Sequence, residues 1–210
     1  MVDKNMLKSL INDYLNLGYH CLRIEHKMYS FNDYKGLLLG YTPYFNYKCR
    51  SLLLWSRKNN VDISSITIDD LCVPYTYFSP HQWWMKGMTV YIEKCLIKLR
   101  KADFNRHFDD FEDLYDYVLS LKITKGRLFM YDLTCRIGSC LGIYPEKFIY
   151  LQYGSEAGAN ILHDKGCISL PDNWEIRVPA SVFASVLPGL KAMDIESFLC
   201  IYKAELKNLY

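Results

Sequence analysis

Long hydrophobic runs are missing from this chain. Leu37-Leu38-Leu39 and Leu52-Leu53-Leu54-Trp55 are each broken within a few residues, far short of the roughly 20 apolar residues of a membrane-spanning helix. The first residues, Met1-Val2-Asp3-Lys4-Asn5, lack the basic cluster and apolar stretch of a secretory signal, so the expectation is a soluble, cytoplasmic protein with no membrane partner. Charge of one sign is equally scarce. The 25 Lys+Arg and 23 Asp+Glu of the 210 residues leave a formal net charge of +2, which excludes a chain that coats nucleic acid by bulk charge and confines any such contact to a local patch.

Cysteine is present but dispersed, at positions 21, 49, 72, 95, 135, 140, 167 and 200. That is too thin for a disulfide scaffold. No Cys-x-x-Cys or His-x-x-x-His pair begins a metal site. Glycine-rich phosphate loops, the Gly-x-Ser-x-Gly elbow and His-Glu-x-x-His are all absent, and the five histidines are scattered. The sequence therefore calls for no cofactor and no metal, names no catalytic residue, and leans toward a non-enzymatic role.

What is there is an ordinary globular composition, half hydrophobic and rich in tyrosine, with eighteen of them. Apolar residues at Met6, Leu7, Leu10, Ile11, Tyr14, Leu15 and Leu17 follow the spacing of an amphipathic helix over 6–17, with Asp3 as its cap and Gly18 as its stop. Residues 21–41 read as short helical or extended pieces. Thr42-Pro43 predicts a helix start continuing over 44–58, and Ser79-Pro80-His81-Gln82 a stronger start for a helix over 80–101. Asp109 or Asp110 opens another that presents Phe111, Leu114, Tyr115, Val118 and Leu121 on one face and stops near Lys122. Thr124 caps a helix over 125–141 that Gly142 ends. Phe148-Ile149-Tyr150-Leu151 has strand chemistry, 155–163 reads as a short helix, 166–188 as irregular or extended, and 195–209 as a closing helix. The expected fold is mainly α: a multi-helix globular bundle with a minor β element near residues 148–178, in one helical domain over 1–210. A subdomain boundary, if the chain has one, falls at 105–124, where bases give way to acids.

Three stretches carry candidate chemistry. Tyr75, Tyr77, Phe78, His81, Trp83 and Trp84 precede a basic segment with Lys94, Lys98 and Lys101 at helical spacing. Flat rings stack on unpaired bases and lysines track phosphates, so His81, Trp84, Lys94, Lys98 and Lys101 form a candidate surface for nucleic acid or a protein partner. The plainer alternative makes the tryptophans core anchors and the lysines a solvated helix face. The acidic run Asp109 to Asp116 weakens the electrostatic case. Next, Arg127, Tyr131, Asp132 and Arg136 sit at i, i+4 spacing on one helix, either as an anion site or as a salt bridge. Last, Gly154, Ser155 and Gly158 lie where a strand turns into a helix, with room for an anion or a second backbone at the helix start, although Glu156 would repel an anion. The leading expectation is an intracellular, non-enzymatic binding protein that meets nucleic acid or a protein partner through an aromatic and basic surface. The first rival is an enzyme with a small-molecule or anion pocket at the Gly154-Ser155 turn, using Arg136 and Tyr131. The second is a structural subunit of a homo-oligomer, self-associating through Phe198, Leu199 and Tyr202 on the helix that begins at Ile195.

Overall fold

The computed structural model describes residues 3–18, 29–39, 60, 62, 89–124, 126–172 and 177–209. The predicted helix over 44–58, the Ser79-Pro80 start and the aromatic cluster from Tyr75 to Trp84 lie outside them. Across the described residues the protein is mainly helical, with a single two-stranded sheet. No helix among them is long and apolar enough to cross a membrane.

The chain divides into two compact units, one made of Met1–His20 with Pro145–Tyr210 and the other of Cys21–Tyr144. Residues 105–124 lie inside the second unit. In the first unit, α1 (Lys4–Asp13) begins where the Asp3 carboxylate accepts from the backbone N–H of Asn5 and Met6 at 2.9 and 3.0 Å, which satisfies two donors the helix itself cannot. It widens at its end into a π-helical turn, Tyr14–Gly18. Leu7, Ile11 and Tyr14 face inward, as their spacing requires.

Strands β1 (Phe148–Tyr150) and β2 (Arg177–Pro179) pair antiparallel, Ile149 opposite Val178, with both of those side chains fully buried. Helix α6 follows β1. It spans Tyr153–Asp164, with Gln152 as its N-cap. The sequence starts this helix at Ser155; Ser155 instead sits in the first turn, its hydroxyl accepting from the Gln152 N–H at 2.9 Å and donating to the Gln152 carbonyl at 3.0 Å. The expected closing helix is broken into α7 (Ala192–Ile201) and α8 (Lys203–Leu206) at Tyr202, whose backbone departs from helical geometry. The core of this unit joins Leu7, Ile11 and Tyr14 to Ile149, Leu162, Phe183, Phe198 and Leu199. Tyr14 meets Phe198 edge-on at 5.9 Å between ring centroids, and Phe198 stacks on Tyr202 at 4.9 Å.

The second unit holds α2 (Tyr34–Leu39), α3 (Thr89–Lys101), α4 (Phe111–Ser120) and α5 (Arg127–Leu141). Asp110 caps α4 by accepting from Asp113 N–H at 3.0 Å, and Phe111, Leu114, Tyr115 and Val118 are buried along one face. Thr124 does not cap α5: the N-cap is Gly126 with no side-chain bond to the helix. The stop at Gly142 is as expected, in the left-handed region at φ 74°, and the Ile143 N–H returns to the Gly138 carbonyl at 2.9 Å to close the helix end. Leu37, Leu38, Cys95, Leu99, Phe104, Leu114, Leu133 and Ile137 make a core of their own.

Candidate functional sites

Helix α3 buries Cys95, Leu96 and Leu99 and turns Glu93, Lys94, Ile97, Lys98, Arg100 and Lys101 to solvent. Lys94, Ile97, Lys98 and Lys101 stand at i, i+3, i+4 and i+7, so they form one stripe opposite the buried face. Ile97 is 50% exposed in the middle of it. The lysines differ in how they are held. The Lys98 ammonium donates to the Lys122 carbonyl just beyond α4, a position where a cation complements the negative helix end. Two of the acids that weaken the electrostatic case have local work: Asp110 caps α4, and Asp113 is bound by Arg106 at 2.9 Å. The Arg106 guanidinium also lies over the rings of Phe108 and Tyr117 at 4.7 and 4.8 Å. His81 and Trp84, the aromatic half of the predicted surface, lie outside the described residues.

Within the second unit, Arg136 is a clamp. Its Nη1 donates to the Leu37 carbonyl at 2.9 Å and to that of Leu38 at 3.4 Å, while Nη2 stands 3.8 Å from Asp132. The guanidinium thus satisfies carbonyls at the C-terminal end of α2, where helix acceptors have no partner within the helix. Tyr131 is buried edge-on to Phe111, and Arg127 is exposed.

The Gly154-Ser155 turn belongs to the first unit, and its groups serve packing there. Gly158 brings α6 against the backbone of α7: a Cβ at 158 would fall far inside contact distance of the Leu199 carbonyl oxygen. A Cβ on Gly154 would sit 2.6 Å from the Cys200 sulfur. Ser155 is fully buried with its hydroxyl engaged by Gln152. The Gln152 Nε2 is buried with no acceptor among the described residues. Phe198, Leu199 and Tyr202, expected as a self-association face, are 0 to 1% exposed. They are core, because the apolar side of α7 packs on α1 and β1 of the same unit.

A concavity that the sequence reading did not anticipate runs along α1. It has a volume of about 700 Å³, with Lys4, Leu7, Lys8, Ile11, Asn12 and Leu15 on one wall and Gly166, Cys167, Ser185, Val186 and Pro188 on the other. The signal was present in the sequence, since Lys4 and Lys8 flank the apolar stripe at i, i+4. The spacing itself says only that the stripe is one face of an amphipathic helix.

No protein-family model matches the chain, and neither a curated protein nor a solved structure matches it. No group of three or more His, Cys, Asp or Glu side chains among the described residues is arranged to hold a metal ion.

Proposed function

We propose that the protein is an intracellular, non-enzymatic binding protein that recognises single-stranded nucleic acid through the solvent side of α3. The observation that carries this reading is the separation of α3 into a buried side of Cys95, Leu96 and Leu99 and an exposed stripe of Lys94, Ile97, Lys98 and Lys101. The lysines are therefore not consumed by the core. An exposed apolar residue between cations offers surface to a base while the cations meet phosphates. Arg100 adds a further exposed charge beside the stripe.

The test is binding of fluorescent single-stranded and duplex DNA and RNA over a salt series, comparing the native chain with Lys94→Glu/Lys101→Glu. Lys98 is spared because its ammonium supports α4. Single strands are expected to bind with a log–log salt slope of about −0.7 per neutralised phosphate. The double reversal is expected to lower affinity at least tenfold and to flatten that slope. An absence of binding at low salt, or salt-dependent binding that the reversal leaves unchanged, overturns the reading.

A further inference from the structure

We infer that the groove along α1 is a binding site for a long-chain alkyl carboxylate. This inference is independent of the α3 reading. The groove's volume of about 700 Å³ falls within the range of small-ligand sites, which are mostly apolar with a few polar groups to fix orientation.

Along its α1 wall the charge is confined to the N-terminal end. Lys4 and Lys8 are both exposed and lie one helical turn apart at one end, close enough to hold a single carboxylate between them. No acidic side chain among the described residues lines the groove. Of the two acids adjacent in sequence to lining residues of α1, Asp3 directs its carboxylate to the Asn5 and Met6 N–H groups and Asp13 accepts from the Tyr202 hydroxyl. Beyond Lys8 the α1 wall is Ile11, Asn12 and Leu15, and the facing wall includes Val186 and Pro188 with Ser185 as its polar exception. From Lys8 to Leu15 the helix rises about 10 Å, a length for an alkyl tail.

Segregated charge distinguishes this occupant from an acidic amphipathic helix, whose carboxylates would be spread along the groove and would need cations at both ends. Leu15 is 39% exposed. A tail laid against it would remove apolar surface from water, the dominant favourable term in such binding.

The full chain is titrated calorimetrically with octanoate, decanoate, dodecanoate and tetradecanoate, each below its micelle concentration, with dodecanol as the uncharged control. Site occupancy is read separately from the protection of Cys167, on the groove wall, against alkylation followed by peptide mass spectrometry. Cys200, which is not part of the groove, serves as reference. The expected result is saturable one-to-one binding that tightens about fifteenfold for every two methylenes, at ~0.8 kcal/mol per methylene, until the tail outruns the stretch between Lys8 and Leu15 and the gain levels off. Cys167 is expected to be protected and Cys200 not.

Lys4→Gln/Lys8→Gln is expected to abolish the preference for dodecanoate over dodecanol, and Leu15→Asp to weaken every chain length. Both variants change exposed residues, so they are expected to keep the fold, which circular dichroism verifies. Equal binding of dodecanol and dodecanoate to the native chain, protection of Cys200 rather than Cys167, or no saturable binding of any carboxylate would each overturn the assignment. Saturation by an acidic amphipathic peptide with no alkyl carboxylate binding would overturn it as well.

Discussion

Asp194 is a carboxylate in the core of the first unit, 4% exposed. It accepts from the Lys191 N–H at 3.1 Å and from the Tyr14 hydroxyl at 3.3 Å. Burial raises its pKa above the ordinary carboxylate value, and the hydrogen bonds from Lys191 and Tyr14 pull only part of the way back. Burial likewise pushes the Tyr14 phenol well above its usual range, with Asp194 adding to the effect. The sign of the pH dependence follows. A group whose folded pKa is raised binds its proton more tightly in the folded state, so its contribution to stability is complete below the ordinary carboxylate pKa and is lost as pH rises through the raised value. Asp194→Asn removes the titration while keeping a carbonyl for the Lys191 N–H. Measured by urea midpoint between about pH 4 and about pH 7, its stability relative to the native protein is expected to improve as pH rises. A constant difference across that window would show that Asp194 does not titrate there. Arg136 illustrates the same scale differently: its spacing from Asp132 suggested a salt bridge, but its shorter contacts are with the carbonyls of Leu37 and Leu38.

At the scale of elements, the contact of α6 with α7 turns on one missing side chain. Gly158 lies where the Leu199 backbone would collide with a Cβ, and backbone yields less readily than the end of a side chain. In Gly158→Ala, the gain of about 1 kcal/mol in helix propensity is expected to be outweighed by an overpacking cost of about 1–3 kcal/mol, more where the helices cannot separate. Chemical denaturation is expected to show a net loss of stability, and an unchanged or higher midpoint would mean that α7 shifts aside at little cost. The element starts divide by mechanism. Asp3 and Asp110 were legible as caps because a carboxylate reaches N–H groups two or three residues on. Gly126 and Gln152 were not, because no local side-chain bond announces α5, and Ser155 reaches back to Gln152 from inside the first turn of α6.

At the scale of the whole molecule, the two units carry two separate cores, one around Tyr14, Ile149 and Phe198 and one around Leu99, Leu114 and Leu133. Leu133 is fully buried, and truncating such a leucine typically costs about 2–5 kcal/mol. Leu133→Ala is expected to accelerate native-state hydrogen exchange first in α4 and α5, the elements of its own core. Equal acceleration in α6 and α7 would contradict the division into units. Tyrosine is used at this scale too. Tyr14, Tyr115, Tyr131, Tyr150 and Tyr202 are buried while Tyr153 is 79% exposed, so among the described residues much of the tyrosine content builds core as well as surface.

The mainly helical class, the faces of α1 and α4, the stop at Gly142 and the pairing-competent strand at Phe148 were all legible in the amino-acid order. These are set by periodicity, capping and glycine conformation, which act within a turn or two of chain. What those faces meet was settled by the three-dimensional structure. The Tyr14–Asp194 bond joins residues 180 positions apart, and the Arg136–Leu37 bond joins residues 99 apart. It also revealed that the apolar side of the closing helix is core, and that α1 forms one wall of a groove as well as part of the core. Contacts of that range depend on how elements pack, and packing leaves no period in a single sequence.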